Sequence, residues 1–309
     1  MKIFLPLLLA INFSHAAPLV DFGYEAKNNQ FPNTIRIISV QNHHFFGLQE
    51  ISNCTGSLIS PTIVLTAAHC IVSPPNSQMY VSFSGDAEAK ILHNGKINGI
   101  SVKNFYVSST YQKLGRELQI LQERRMGRDY IQMSEYEREL FDKKIEKSTL
   151  EVTKNDIALI ELETPQKIQN NHLAKLQCSR SLQAGTGVLL AGYGANRKPN
   201  TLNANAKGQL LWGQNTIKSI YENSLYFISN EREKQLTNSG DSGGPLFSAG
   251  NIINVYGITV LKSSDKNGNS NGGYFNSLNS IGSKTFFKEV SRNSKISSVM
   301  KQSISSCSR

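Results

Sequence analysis

The chain is 309 residues long, 39% hydrophobic and 18% charged, the composition of a folded protein rather than a disordered one, with room for two modest domains. Its formal net charge of +10 is uneven: residues 166–309 hold 17 Lys/Arg against 6 Asp/Glu, while the first half of the mature chain is close to neutral. Such a half suits an acidic surface or a polyanion as partner, but no motif of a specific nucleic-acid binder accompanies it.

Residues 1–16 carry one lysine, a short apolar run (Ile3–Ile11) and Ser14-His15-Ala16, the pattern of a secretory signal peptide cut after Ala16. The run is too short to span a bilayer, and no later stretch reads as a transmembrane helix. The chain is therefore expected outside the cytoplasm, extracellular or periplasmic. Residues 17–34 form an N-terminal segment read as a candidate propeptide. In an oxidising compartment the four cysteines suggest disulfides. Cys54 and Cys70 are near enough in sequence to close a short loop, which leaves Cys178 and Cys307 as a second pair by elimination. No CxxC or paired Cys/His spacing occurs, so neither a metal site nor a cofactor is expected.

Beyond residue 34, short β-type runs alternate with Gly, Asn, Ser and Pro clusters: Ile35–Val40, Gly56–Ala67, Ile157–Leu162, Val188–Ala191, Leu225–Ser229 and Ile252–Leu261. This rhythm predicts an all-β protein of barrels or sandwiches, with no internal sequence repeat. Two stretches depart from it. Within 112–150, Ser134 and Glu137 have capping-box spacing, Glu139 and Lys143 form an i,i+4 pair, and Tyr136, Leu140 and Phe141 share a helical face. This predicts a helical insertion whose apolar face packs on something. Near the end, Ile296, Val299, Met300 and Ile304 follow helical spacing and predict a docked terminal helix.

Three motifs carry chemistry. Nucleophilic hydrolysis needs a hydroxyl, a base to take its proton, an anion to orient the base, and donors facing the oxyanion. Asn238–Pro245 (NSGDSGGP) offers Ser242 between glycines, with the amides of Gly240 and Ser242 free to converge on one oxygen. Leu65–Cys70 (LTAAHC) offers His69 at the end of an apolar strand. Lys154–Ile160 (KNDIALI) offers Asp156 immediately before another. The Gly-x-Ser-x-Gly pattern also occurs in α/β-hydrolases, but those need a histidine after the serine, and every histidine here precedes Ser242.

In order and context these motifs resemble the chymotrypsin/trypsin family of serine endopeptidases. Cys54–Ile59 (CTGSLI), Gly192-Tyr193-Gly194, Tyr256-Gly257-Ile258 and Gly272-Gly273-Tyr274 add to the likeness. The resemblance implies two Greek-key β-barrels, residues 35–165 with the insertion 112–150 and residues 166–309 with a C-terminal helix, enclosing a cleft that holds the triad His69, Asp156 and Ser242. It also implies a Cys54–Cys70 bond, an Asp241 buried against a new N-terminal amine, polypeptide substrates and a monomer. The implied specificity pocket comprises Leu236, Thr237, Val260, Lys262 and Gly273. Leu236 stands where trypsin-like members carry Asp, the pocket's usual disulfide is missing, and Val260 replaces a serine that normally supports the catalytic Asp. No Arg-Ile-Val-Gly-Gly activation site is visible. Apolar or small side chains are then the default at the cleaved bond, with acidic ones suggested by Thr237 and Lys262. A catalytically silent homologue that binds polyanions through the basic half is the alternative.

Overall fold

A computed structural model describes residues 24–27, 30–43, 48–71, 77–82, 92–93, 96–97, 99–194, 209–229, 237, 240–264 and 270–308. The signal peptide over 1–16, residues 17–23 of the N-terminal segment and Leu236 lie outside the described residues.

The first barrel is built from β1 (Thr34–His43), β2 (Leu48–Ser60), β3 (Ile63–Thr66), β4 (Ser77–Ser82), β5 (Ile100–Val107) and β6 (Ala158–Leu162). These close in the order β1-β2-β3-β6-β5-β4. The second uses β7 (Gly187–Gly192), β8 (Leu211–Tyr221), β9 (Leu225–Ser229), β10 (Pro245–Ser248), β11 (Asn254–Ser264) and β12 (Ser270–Ser277), and pairing of β8 with β9 closes it. Its ring runs β7-β8-β9-β12-β11-β10, the same cyclic order as the first. Two closed six-strand barrels of one topology thus come from halves without a shared sequence repeat.

Side chains one residue apart point to opposite faces of a strand, and that alternation decides which core each residue joins. Val64, Ala158 and Ile160 fill the first barrel, whereas Ile63, Leu65, Ile157 and Leu159 enter a core shared between the barrels. Likewise Val188, Leu190 and Leu246 fill the second barrel while Leu189, Ala191 and Phe247 turn to the shared core. Covered on both faces, these strands read as continuous apolar runs rather than as alternating ones.

The shared core is capped by helix α4 (Ile281–Arg292), through buried Phe286, Phe287 and Val290. Sequence periodicity did not anticipate this helix. The predicted terminal helix is short, α5 (Ser298–Ser303); Met300 and Ile304 are buried, but Val299 faces solvent. A Cys178–Cys307 disulfide fastens this end to the body.

The insertion leaves the barrel at Val107 and returns at Ala158, paired neighbours in β5 and β6. It consists of α1 (Ser109–Arg125), α2 (Arg128–Gln132) and α3 (Glu135–Lys154). The Ser134–Glu137 capping box and the Lys143–Glu139 ion pair both form. Of the predicted apolar face only Phe141 packs; Tyr136 is 70% and Leu140 49% exposed. Phe141 is joined by Ile145 and Val152 in contact with Leu118 and Leu121 of α1. That stripe lies one flank away around the helix, where α1 offers apolar partners.

Candidate active site

The three motifs sit on loops whose positions are set by the strands and helices beside them. His69 occupies a single 3₁₀ turn, Ala68–Cys70, directly after β3. The next residue, Cys70, is bonded to Cys54 of β2, so the turn is stapled to its neighbouring strand. The Cys54 and Cys70 sulfurs lie within 4.8 Å of a His69 ring nitrogen, but as partners in that disulfide they leave no thiolate to ligate a metal.

Asp156 follows the end of α3, its N–H donating to Thr153 O at 3.3 Å. It is 4% exposed, and its carboxylate grips His69 twice. The His69 backbone N–H donates to Oδ1 at 2.9 Å, and the ring Nδ1 lies 2.6 Å from Oδ2. A carboxylate only accepts, so Nδ1 carries a proton, and in the neutral ring Nε2 is left with the lone pair. Burial acts to lower the His69 pKa; the Asp156 charge and hydrogen bond outweigh it, and the net shift is upward from 6.5. Tyr111, in the first turn of α1, lies near enough that the Asp156 charge joins burial in raising its phenol pKa. The root of the insertion is therefore beside Asp156.

The Ser242 loop is sewn to both barrels. Gly240 has φ +102°, the left-handed region that glycine alone enters without strain. The Gly243 N–H donates to Thr259 O at 2.7 Å, and the Thr259 N–H to Gly244 O at 2.9 Å, tying the loop to β11. From the first barrel, the Thr55 N–H donates to Ser242 O at 2.8 Å and the Thr55 hydroxyl to Gly240 O at 2.8 Å. The Tyr193 N–H donates to that same hydroxyl at 3.0 Å. Thr55 entered the sequence reading only as part of CTGSLI, because a threonine in a strand carries no signal of its partners; here it holds the loop through these bonds. Asp241 is 2% exposed and accepts from the Gly194 N–H at 3.0 Å. The Cys70 sulfur lies 3.5 Å from Ser242 O, so the residue beside His69 touches the backbone of Ser242.

Of the residues expected in the specificity pocket, Lys262 and Gly273 are directly opposed in β11 and β12, with Val260 buried two residues before Lys262. A Cβ on Gly273 would fall 2.5 Å from the Thr237 hydroxyl, so these residues also adjoin.

The family profile described as Trypsin matches residues 20–281. The cercarial protease of Schistosoma mansoni is 28% identical over 225 residues, covering 68% of this chain and 73% of that protein. Human heparin binding protein superposes with a TM-score of 0.50 at 18% identity, covering 84% of this chain and 92% of that one. A scabies mite inactivated protease paralogue gives a TM-score of 0.49 at 20% identity, covering 85% and 95%.

Proposed function

Because the chain belongs to the trypsin family, we propose that it is a secreted serine endopeptidase with Ser242 as nucleophile, His69 as general base and Asp156 as the orienting acid. One observation carries this reading: the buried Asp156 carboxylate binds both the backbone and the ring of His69, at 2.9 and 2.6 Å. That grip holds the tautomer in which Nε2 can accept the Ser242 proton.

In the reaction, Ser242 Oγ attacks the scissile carbonyl carbon while His69 Nε2 takes its proton. The Gly240 and Ser242 N–H groups receive the oxyanion, a stabilisation that grows as charge develops. Collapse expels the amine, protonated by His69, and leaves an acyl ester on Ser242. Water, deprotonated by His69, then attacks the ester and restores the serine. Two disulfides support an oxidising destination. Among the described residues no helix is long and apolar enough to cross a membrane.

Ser242→Ala should fold and be secreted normally yet lose hydrolysis by several orders of magnitude. A fluorophosphonate probe should label the parent and spare the variant. Labelling at another serine, or substantial activity in the variant, sinks the assignment. The excess of basic residues over 166–309 favours a second reading, a silent homologue that binds polyanions. That reading requires a parent chain inert to the probe.

A further inference from the structure

The last residue of α3 carries a buried cation that the reaction above does not use. The Lys154 side chain is 10% exposed, and its ammonium donates to two carboxylates. One is Glu151 Oε1 of the same helix, at 2.8 Å; the other is Glu222 Oε2, in the turn between β8 and β9 of the second barrel. Burial acts to lower the Lys154 pKa, but the two carboxylates outweigh it and the net shift is upward, so the lysine stays charged. The turn that supplies Glu222 is unusual. Glu222 and Asn223 have φ +47° and +54°, and the Ser224 N–H closes the turn onto Tyr221 O at 2.8 Å. Two left-handed residues in succession favour asparagine and glycine; Asn223 fits, whereas a glutamate is strained there. A strained residue persists where its surroundings hold it. Glu222 is held by Lys154 and, more weakly, by the charge of Lys147 two turns earlier on α3, which together keep its carboxyl below the ordinary range.

Lys154 stands two residues before Asp156, where α3 gives way to β6. The Asp156 N–H donates to Thr153 O at 3.3 Å and the Asn155 amide to Glu151 O at 2.9 Å, so residues 154–156 move with the end of the helix. Behind them lies the first turn of α4: a Cβ on Gly282 would fall 2.5 Å from Lys154 O and 3.0 Å from Asn155 Oδ1. His69 and Asp156 belong to the first barrel and the Ser242 loop to the second. The bond from Lys154 to Glu222 therefore crosses between the barrels beside Asp156.

Resting on the protease reading, we propose that Lys154 is a positioning residue: through Glu222 it ties the end of α3, and with it Asp156 and His69, to the barrel that carries Ser242. Proton transfer from Ser242 Oγ to His69 Nε2 requires the two atoms within hydrogen-bond reach, and a misplacement of about 1 Å costs about 10²-fold. The bonds of Asp156 with His69 lie within the first barrel and leave its register with Ser242 to contacts that span the two barrels. Thr55 supplies one such contact from below the Ser242 loop, and Lys154 supplies another from the insertion. Glu151 keeps Lys154 paired within its own helix when Glu222 is lost, so the fold survives while the cross-barrel tie does not. The insertion is thereby part of the catalytic frame through its last turn.

The test compares the secreted parent with Glu222→Gln, Lys154→Met, Lys154→Arg and the Glu222→Gln/Lys154→Met double variant, each counted by fluorophosphonate labelling taken to completion. Glu222 is 75% exposed, so its amide variant leaves the packing intact and should unfold at the temperature of the parent. We expect Glu222→Gln and Lys154→Met each to lower kcat per labelled site, and the rate constant of labelling, by about 10-fold while KM stays within about twofold. The double variant should lose no more than Lys154→Met alone, because the two residues share one bond. Lys154→Arg, which keeps the charge, should regain most of the loss. A purely structural lysine would reduce the number of labelled sites and leave kcat per site alone. Parent-like kcat per site in Glu222→Gln, or losses that multiply in the double variant, would overturn the positioning role and leave the protease reading standing. Should Lys154→Met fail to fold, Glu222→Gln decides by itself. A parent that resists labelling overturns the protease reading, and this one with it.

Discussion

Replacing Gly192 by alanine should damage the Ser242 loop through a single methyl group. Gly192 ends β7, and a Cβ built there lies 2.0 Å from Asp241 Oδ1, 2.8 Å from its Cγ and 3.2 Å from its Cβ. Ordinary contact begins near 3.5 Å, so the carboxylate must withdraw by roughly 1.5 Å. Asp241 has nowhere to withdraw within its pocket: it is 2% exposed and accepts the Gly194 N–H at 3.0 Å. Loss of a hydrogen bond to a charged group costs about 1.5–3 kcal/mol, and overpacking about 1–3 kcal/mol more. Against this stands a gain of up to about 1 kcal/mol from a stiffer unfolded chain. A net loss of about 2–5 kcal/mol corresponds to a fall of roughly 4–12 °C in unfolding midpoint for a chain of this size. Gly240 and Ser242, the proposed oxyanion donors, flank Asp241 on either side. A displacement of about 1 Å there should lower kcat by about 10²-fold or more. Calorimetry and active-site-titrated kinetics on parent and Gly192→Ala test both numbers. Both quantities staying within error of the parent would refute the claim that the Gly192 contact fixes the loop.

The acid limb of kcat/KM should fall at a pH above 6.5, because the raised His69 pKa makes the base protonate early. By the same shift, protonated His69 adds stability below pH 6.5 that is lost as pH rises through the folded-state pKa. Asp156→Asn removes the charge and leaves burial, so the limb should move to lower pH while kcat falls about 10⁴-fold; a limb that stays put would show that Asp156 does not set it. Replacing Cys178 and Cys307 together by serine opens a link across 129 residues, worth about 5 kcal/mol in the chain-entropy account. Hydrogen exchange should then rise first over residues 298–308, and uniform protection there would contradict the anchoring role. Exchanging Gln112–Leu150 for a short Gly/Ser loop leaves Tyr111 in the barrel core and removes the exposed Ile131 and Tyr136. Small-peptide turnover should persist while selectivity among folded proteins loosens; unchanged kinetics on both would make the insertion a decoration.

Local sequence determined a good deal here. The Ser134 capping box, the Glu139–Lys143 pair and the runs Ile157–Leu162 and Val188–Ala191 depend on residues a few positions apart, and the structure contains each of them. The order of the His69, Asp156 and Ser242 motifs already disfavoured an α/β-hydrolase. The alternation within each strand, by contrast, only says that two faces exist. Arg36 should have pointed to solvent between Ile35 and Ile37, yet it is fully buried, its guanidinium held by Asn53 Oδ1 at 2.9 and 2.6 Å. Its charge reaches the Tyr193 phenol of the second barrel, which burial pushes up to about 12. The same limit misplaced Tyr136 and Leu140: periodicity names an apolar stripe, but α1 decides which stripe is covered. Thr55, Gly192 and the pairing of Lys262 with Gly273 acquire their meaning only when segments far apart in the chain are brought side by side. Packing between the two barrels, which no local pattern encodes, decides which side chains meet at the cleft.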